Sequence, residues 1–152
     1  MTNEATSSGQ KIRAIRPVTA VLIGAAVGNA LSYVVLFIFG LVFLWVLVAQ
    51  GVPGNESYVR AYGSTSYLLF AHVVGFLCLL PGGLWAAKLS ESSHIRSAAV
   101  AGTLVAAFAL LSNLVPYSLP IPLWSRVASV VLPVPAFILG AMLQRRSEAR
   151  VH

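Results

Sequence analysis

A chain of 152 residues in which 58% are apolar and 9% are charged is far more apolar than a soluble domain, where roughly a quarter of the residues carry charge. Its apolar surface exceeds what one soluble core of this length can bury, so lipid has to cover the rest. The formal net charge of +6 does not indicate nucleic-acid binding, because the basic residues lie almost only where apolar runs end, which is typical of membrane topology.

The N-terminal part predicts a tail followed by a long spanning helix. Residues 1–16 are small and polar and then basic, which predicts a disordered basic tail. Residues 17–49 carry no charge and correspond to about 50 Å of helix, longer than the hydrocarbon core, so we expect tilt or a projecting end. The apolar region of a signal peptide covers roughly 7 to 15 residues, so the length of this run favours an uncleaved anchor.

Three further apolar runs predict three more spanning helices. The first of them follows a polar segment, 50–65, whose turn residues predict a loop. The runs cover residues 66–89, 97–115 and 123–143. Each approximates the roughly 20 residues that span a bilayer. We therefore predict an all-α membrane protein with four transmembrane helices in an antiparallel bundle over residues 17–146, followed by a C-terminal tail at 147–152.

The distribution of lysine and arginine predicts the orientation of the bundle. Eight of these residues lie on the side that carries both termini: Lys11, Arg13, Arg16, Lys88, Arg96, Arg145, Arg146 and Arg150. The opposite side carries only Arg60 and Arg126. Because short cytoplasmic loops are enriched in basic residues, this difference predicts that both termini are cytosolic.

Small residues at four-residue spacing predict close packing between the helices. The predicted packing residues are Ala20, Gly24, Gly28, Ser32, Gly75, Gly102 and Gly140. Four of them form one strip of the first helix, which includes a GxxxG pattern at Gly24 and Gly28. Such strips let two helix backbones approach closely in lipid. They indicate either a tight bundle within the chain or a homo-oligomer.

Three polar residues lie inside the predicted spans: Asn29, His72 and Asn113. Polar groups in lipid should face the bundle, where they hydrogen-bond another helix or line a pathway. An imidazole titrates near neutral pH, so His72 is also a candidate for metal binding or proton relay. No second His, Asp, Glu or Cys lies one turn from His72, which favours a structural hydrogen bond and predicts no metal site.

Prolines interrupt two of the runs. Pro81, followed by Gly82 and Gly83, should bend or end the second helix, and Pro133 with Pro135 should distort the middle of the fourth. A proline break is either a functional hinge or a kink required by packing, and the packing explanation is favoured.

Reactive groups are scarce. The acidic residues are Glu4, Glu56, Glu91 and Glu148, all outside the predicted spans, and aspartate is absent. Paired carboxylates for acid–base chemistry are therefore not available in the membrane, and no motif of a hydrolase, nucleotide-binding or zinc protein occurs. The single cysteine, Cys78, cannot form an internal disulfide. We predict no catalytic residue and no cofactor.

The stretch PGGLWAAKLSESSHIRSAAVAGTL, from Pro81 to Leu104, is a Gly-Gly-x-x-Ala-Ala hairpin with a short basic link. It resembles a hairpin of small four-span bacterial inner-membrane proteins without an assigned activity, and this resemblance implies a bacterial plasma-membrane protein. Small multidrug-resistance transporters carry a glutamate in the first membrane helix, and quinone-linked disulfide enzymes carry cysteine pairs. Both features are missing here.

Two functions remain open at this point. The favoured prediction is a non-enzymatic membrane protein that acts through helix–helix association, as an accessory subunit, a scaffold or a small homo-oligomer. The alternative is a small transporter or channel with a polar path lined by Asn29, His72 and Asn113. The predicted partners are the lipid bilayer and a second copy or a larger membrane complex, without nucleic acid.

Overall fold

The computed structural model describes residues 17–90, 94–115 and 119–149. The predicted N-terminal tail and the last three residues of the predicted C-terminal tail lie outside the described residues. The helices are α1 (Pro17–Ala49), α2 (Gly54–Gly63), α3 (Thr65–Lys88), α4 (His94–Leu114), α5 (Leu123–Val131) and α6 (Pro133–Glu148). The described ranges contain no strand.

Four segments are long and apolar enough to cross a membrane: α1, α3, α4, and α5 together with α6. The prediction of an all-helical chain with four such segments is thereby confirmed. The fourth segment is interrupted only at Leu132, which lies between α5 and α6. It ends at Glu148, so the helix includes two residues that the sequence assigned to the C-terminal tail.

The predicted loop between the first two spans is wrong, because most of it forms α2. Gly51 makes the preceding turn with a φ of 86°, a conformation that favours glycine. Ser57 and Ala61 lie one turn apart and are buried, so α2 has one inward face. Ser64 ends α2 and accepts a hydrogen bond from the backbone N–H of Tyr67, which caps α3. Turn residues at the start of this segment concealed its short amphipathic pattern.

Large and small side chains are distributed in the way that a lipid solvent favours. Bulky apolar side chains lie on the outside of the helices, with Phe37 68% and Trp45 72% exposed. The fully buried positions are mostly alanines: Ala20, Ala86, Ala87, Ala98, Ala101, Ala136 and Ala141. Phe137 is the one large apolar side chain that is fully buried among the described residues. Association therefore relies on close backbone contact rather than on burial of large side chains.

Helix α3 lies at the centre of the bundle and contacts every other helix. A Cβ atom on Gly82 would lie 2.7 Å from the carbonyl oxygen of Gly24 and 2.8 Å from the Cα of Gly28. Ser32, farther along α1, meets Gly75, earlier in α3, with 3.5 Å between Oγ and the carbonyl oxygen. These contacts run in opposite directions along the two helices, so α1 and α3 are antiparallel.

On the other side of α3, α6 approaches just as closely. Gly83 lies against the backbone of Phe137, and Gly140 lies against the carbonyl oxygen of Leu80. A Cβ atom on Gly102 of α4 would lie 3.0 Å from the Cα of Val134. The ring of Phe137 reaches Gly28 and Gly82. One phenylalanine thus fills the space that the glycines of three helices leave open, and we call this group the glycine–Phe137 layer.

The prolines that interrupt the apolar runs occupy different positions in their helices. Helix α3 passes through Pro81 and continues to Lys88, so the predicted end of the helix at Pro81 does not occur. Its neighbours Gly82 and Gly83 are held between α1 and α6. Pro133 is the first residue of α6, where its missing N–H costs no helical hydrogen bond. Pro133 is buried, whereas Pro135 is exposed.

We call the end of the bundle that carries α2 the α2 end, and the end where α1 begins and α6 ends the terminal end. At the α2 end an aromatic cluster joins α1, α2 and α3 around Tyr67. The ring of Tyr67 lies 4.6 Å from Phe43, 5.3 Å from Phe39 and 5.8 Å from Tyr62, measured between centroids. Such pairs each contribute about 0.5–1.5 kcal/mol and hold α2 against the longer helices.

The glycine–Phe137 layer predicts which glycine cannot accept a side chain. Gly83→Ala should lower the free energy of unfolding by about 1–3 kcal/mol, because the new methyl group collides with the backbone of α6. Gly75→Ala in the same helix is the matched control, since its Cβ would lie an ordinary 3.5 Å from Leu36. Unfolding by SDS in mixed micelles, followed by circular dichroism, measures both. Equal stability of the two variants would contradict the contact.

Candidate ligand-binding cavity

The half of the bundle nearer the α2 end contains a cavity of about 420 Å³. Helices α1, α3, α4 and α5 form most of its wall. Its polar lining residues are Asn29, Ser32, Tyr33, Tyr62, His72, Ser112, Asn113, Ser125, Arg126 and Ser129. The remaining wall is mostly apolar, which is the usual composition of a small-molecule site.

The three intramembrane polar residues predicted from the sequence all line this one cavity. Asn29 comes from α1, His72 from α3 and Asn113 from α4. The sequence predicted that each would face the bundle, and the transporter alternative placed all three along one polar path. Their convergence depends on the antiparallel arrangement, which brings residues more than 40 positions apart in the chain to the same depth.

His72 links α3 to α5. Its Nε2 lies 2.9 Å from Oγ of Ser125, and its ring meets the edge of Trp124 with 5.6 Å between centroids. Ser125 is only 5% exposed, so the hydrogen bond satisfies a buried hydroxyl. The imidazole either donates to the hydroxyl or accepts from it, depending on its tautomer. The pair gives His72 the hydrogen-bonding role that the sequence favoured and leaves the other ring nitrogen for a further contact.

Asn113 links α4 to α5. Its Nδ2 donates to Oγ of Ser129 at 3.1 Å and, over a longer 3.4 Å, to the carbonyl oxygen of Arg126. Ser129 in turn donates to the same carbonyl at 2.7 Å. The amide hydrogens of Asn113 are therefore used within the protein, whereas its carbonyl oxygen has no hydrogen-bond partner among the described residues. This oxygen can accept from a ligand.

Asn29 lies on the opposite wall, one residue beyond Gly28 of the glycine–Phe137 layer. Its side-chain amide makes no hydrogen bond to any residue that the structure describes. An amide in an apolar wall is costly unless it finds a partner. Asn29 thus offers both a donor and an acceptor to whatever occupies the cavity.

The cavity is closed on the side that faces the terminal end. Leu79, Val105 and Pro133 line it on the side of the terminal end, where the glycine–Phe137 layer follows. In this conformation the layer separates the cavity from the terminal end of the bundle. Leu132, the residue at the break between α5 and α6, also lines the cavity. The proline break and the cavity are therefore parts of one region.

Arg126 carries the only formal charge among the described residues that line the cavity. No carboxylate or thiol lies in that lining. Within the described ranges, no three His, Cys, Asp or Glu residues come together as a metal site would require. The groups present can donate and accept hydrogen bonds and attract negative charge, which suits the binding of a polar molecule.

Sequence reasoning missed Ser125, Arg126 and Ser129 as members of this site. Ser125 and Ser129 are four positions apart, so they share one face of α5, and this spacing was a usable signal. From the sequence, Arg126 was used only as one of the two basic residues on the side opposite the termini. The hydrogen bonds from Asn113 and His72 to α5 had no signature in the sequence.

Comparison of the chain with family models, with curated proteins and with solved structures found no match.

The hydrogen bond between His72 and Ser125 predicts an energetic coupling. Replacing each by alanine, singly and together, should give a coupling free energy of about 0.6 kcal/mol and at most about 1.7 kcal/mol, the range of such bonds between membrane helices. The matched control pair is His72 with Ser112, because Ser112 donates to Phe108 in its own helix. Unfolding in mixed micelles measures both cycles. Additive effects for His72 and Ser125 would show that the bond contributes nothing.

Proposed function

We propose that this protein is a non-enzymatic multi-pass membrane protein that binds a small polar solute in the cavity, as the binding step of a small transporter. The observation that carries the proposal is the convergence of Asn29, His72 and Asn113 on one cavity of about 420 Å³. Polar side chains in a membrane segment are costly and commonly mark a solute pathway. A volume of a few hundred Å³ suits a small molecule.

The lining favours an organic anion with an apolar body. Arg126 supplies a positive charge, and a guanidinium matches a carboxylate in shape and charge. Asn29 supplies a neutral donor on the facing wall. Leu36, Phe76 and Phe108 line the cavity between the polar groups and can contact the apolar part of the solute.

Binding followed by a conformational change fits the geometry better than an open channel. The glycine–Phe137 layer closes the side of the cavity toward the terminal end, so passage requires this layer to open. At Leu132 α5 gives way to α6, and this residue lines the base of the cavity. Movement of α6 relative to α5 about this residue would open the side of the cavity that the glycine–Phe137 layer closes. Transporters whose interrupted helices line the binding site move in a similar way.

Helix–helix association, the other function predicted from the sequence, is less well supported. Gly24 and Gly28 are buried against α3 of the same chain, so this strip is not available to a second copy. A homo-oligomer or a larger complex would need a different surface. We therefore place the small-residue strips in the internal packing of the bundle.

The membrane in which the protein lies and its orientation there are also proposals. The resemblance of the hairpin at Pro81–Leu104 supports a bacterial plasma membrane, and the excess of Lys and Arg at the terminal end supports cytosolic termini. In this orientation the cavity lies in the outer half of the bundle. Solute would then bind from the outside.

A charge series of similar molecules tests the solute class. Benzoate, benzamide and benzylamine share one ring and differ in charge, and only benzoate should clearly raise the melting temperature of the purified protein. Asn29→Ala should weaken benzoate binding by about tenfold, the effect of one lost hydrogen bond to an ion. Thr103→Ala, on the exposed face of α4, is the control. No shift with any probe, or equal shifts with all three, would contradict an anion site.

Reporter fusions test the orientation. A reporter active only in the cytosol should be active after residue 149 and inactive when inserted beside Arg60 in α2, because the basic residues concentrate at the terminal end. A reporter active only outside should give the reverse pattern. Activity of both fusions in the same compartment would overturn the four-span topology.

A further inference from the structure

A second concave surface lies at the terminal end, on the outside of the bundle. This groove has a volume of about 530 Å³ and is lined by Phe76, Leu80, Ile95, Leu139, Met142, Leu143, Arg145, Arg146 and Ala149. Helices α3, α4 and α6 contribute to it. Its floor is apolar, and two neighbouring arginines are the charged members among the residues that the structure describes. We refer to it as the arginine groove.

We propose that the arginine groove binds one anionic phospholipid from the adjacent leaflet, with an acyl chain along the floor and the phosphate at Arg145 and Arg146. This inference requires insertion in a bilayer, but it is independent of the solute proposed for the cavity. A site that holds one lipid goes beyond general solvation by the membrane, because it discriminates between headgroups.

The length of the groove matches one leaflet. Phe76 lies twelve residues before Lys88, the end of α3, which corresponds to about 18 Å along the helix axis. Half of a hydrocarbon core is about 15 Å thick. An acyl chain that extends from the headgroup region to Phe76 therefore reaches the middle of the bilayer, as it does in the lipid phase.

The charge of the groove favours an anionic headgroup. Arg145 and Arg146 are exposed in the last turns of α6, and within the described residues neither forms an ion pair with an acid. The nearby carboxylate of Glu148 accepts a hydrogen bond from Gln144 at 3.0 Å instead. Arg96, directly after the lining residue Ile95, is also exposed at this end. Clustered arginines beside a groove between membrane helices are the usual recognition element for phospholipid phosphates.

Lys88, another cation at this end, is engaged differently. The Nζ atom of Lys88 lies 5.7 Å from the ring centroid of Trp85, within the range of a cation–π contact. Neither of these two residues lines the groove. Lipid selectivity should therefore depend on the arginines of α6 and not on the whole basic end.

The test uses the full chain in nanodiscs that contain equal amounts of dioleoyl phosphatidylglycerol and dioleoyl phosphatidylcholine. Native mass spectrometry measures which lipid remains bound after release. Each arginine contributes about a fivefold preference, so the wild type should prefer phosphatidylglycerol by roughly 30-fold. The double variant Arg145→Gln, Arg146→Gln should lose this preference. Arg60→Gln, an exposed arginine at the opposite end, should keep it.

Two further variants separate the groove from charge alone. Leu139→Trp should fill the floor and reduce lipid retention several-fold although both arginines remain, whereas Leu69→Trp on the exposed surface of α3 should not. The double variant Arg145→Lys, Arg146→Lys keeps the charge, so it should retain most of the preference and controls for misfolding. Excess inorganic phosphate should not displace the lipid.

Three results would overturn the proposal. The first is an equal preference in the wild type and in the glutamine double variant. The second is an equal loss in Arg60→Gln, which would indicate a general charge effect. The third is displacement by inorganic phosphate with no effect of Leu139→Trp, which would indicate a phosphate site without a lipid tail.

Discussion

The close approach of three helices at the glycine–Phe137 layer determines the rest of the architecture. Helix α3 can contact α1 and α6 backbone to backbone only because Gly24, Gly82 and Gly83 lack side chains at these points. In lipid no hydrophobic driving force brings helices together, so dispersion contacts at such short distances have to supply the association. The layer explains why the buried positions are mostly alanine and glycine and why a single phenylalanine fills the centre.

The cavity is a consequence of the same layer. Where the facing residues change from glycine and alanine to larger ones such as Leu36, Phe76 and Phe108, the helices can no longer approach as closely. Space opens between them, and polar residues from five helices line part of it. The tightly packed half of the bundle and the half that contains the cavity therefore result from the same packing of the helices. The break at Leu132 lies at the boundary between these two halves.

The sequence predicted the parts of the fold that depend on hydrophobicity alone. Four long apolar runs identified the four segments that are long and apolar enough to cross a membrane, because this property depends on composition and length alone. The runs could not reveal α2, because turn residues begin this segment and conceal its short amphipathic pattern, which packs against the longer helices through Ser57, Ala61 and the contact of Tyr62 with Tyr67. For the cavity, Asn29, His72 and Asn113 were identifiable because polar residues are rare in such runs. Ser125 and Ser129 gave only a weaker signal, their shared face of α5, since a serine in a membrane helix commonly bonds to its own backbone.

Helix α1 is about 50 Å long, whereas a bilayer core measures about 30 Å. In the proposed membrane location, this helix exceeds the hydrocarbon core by roughly 20 Å, so it either projects beyond the core or is inclined. Tyr62 of α2 lies at the rim of the cavity, at the α2 end of the bundle. If the bundle is inserted as proposed, the rim stands at the level of the lipid headgroups, and a dissolved anion reaches it from water without first entering the oily phase.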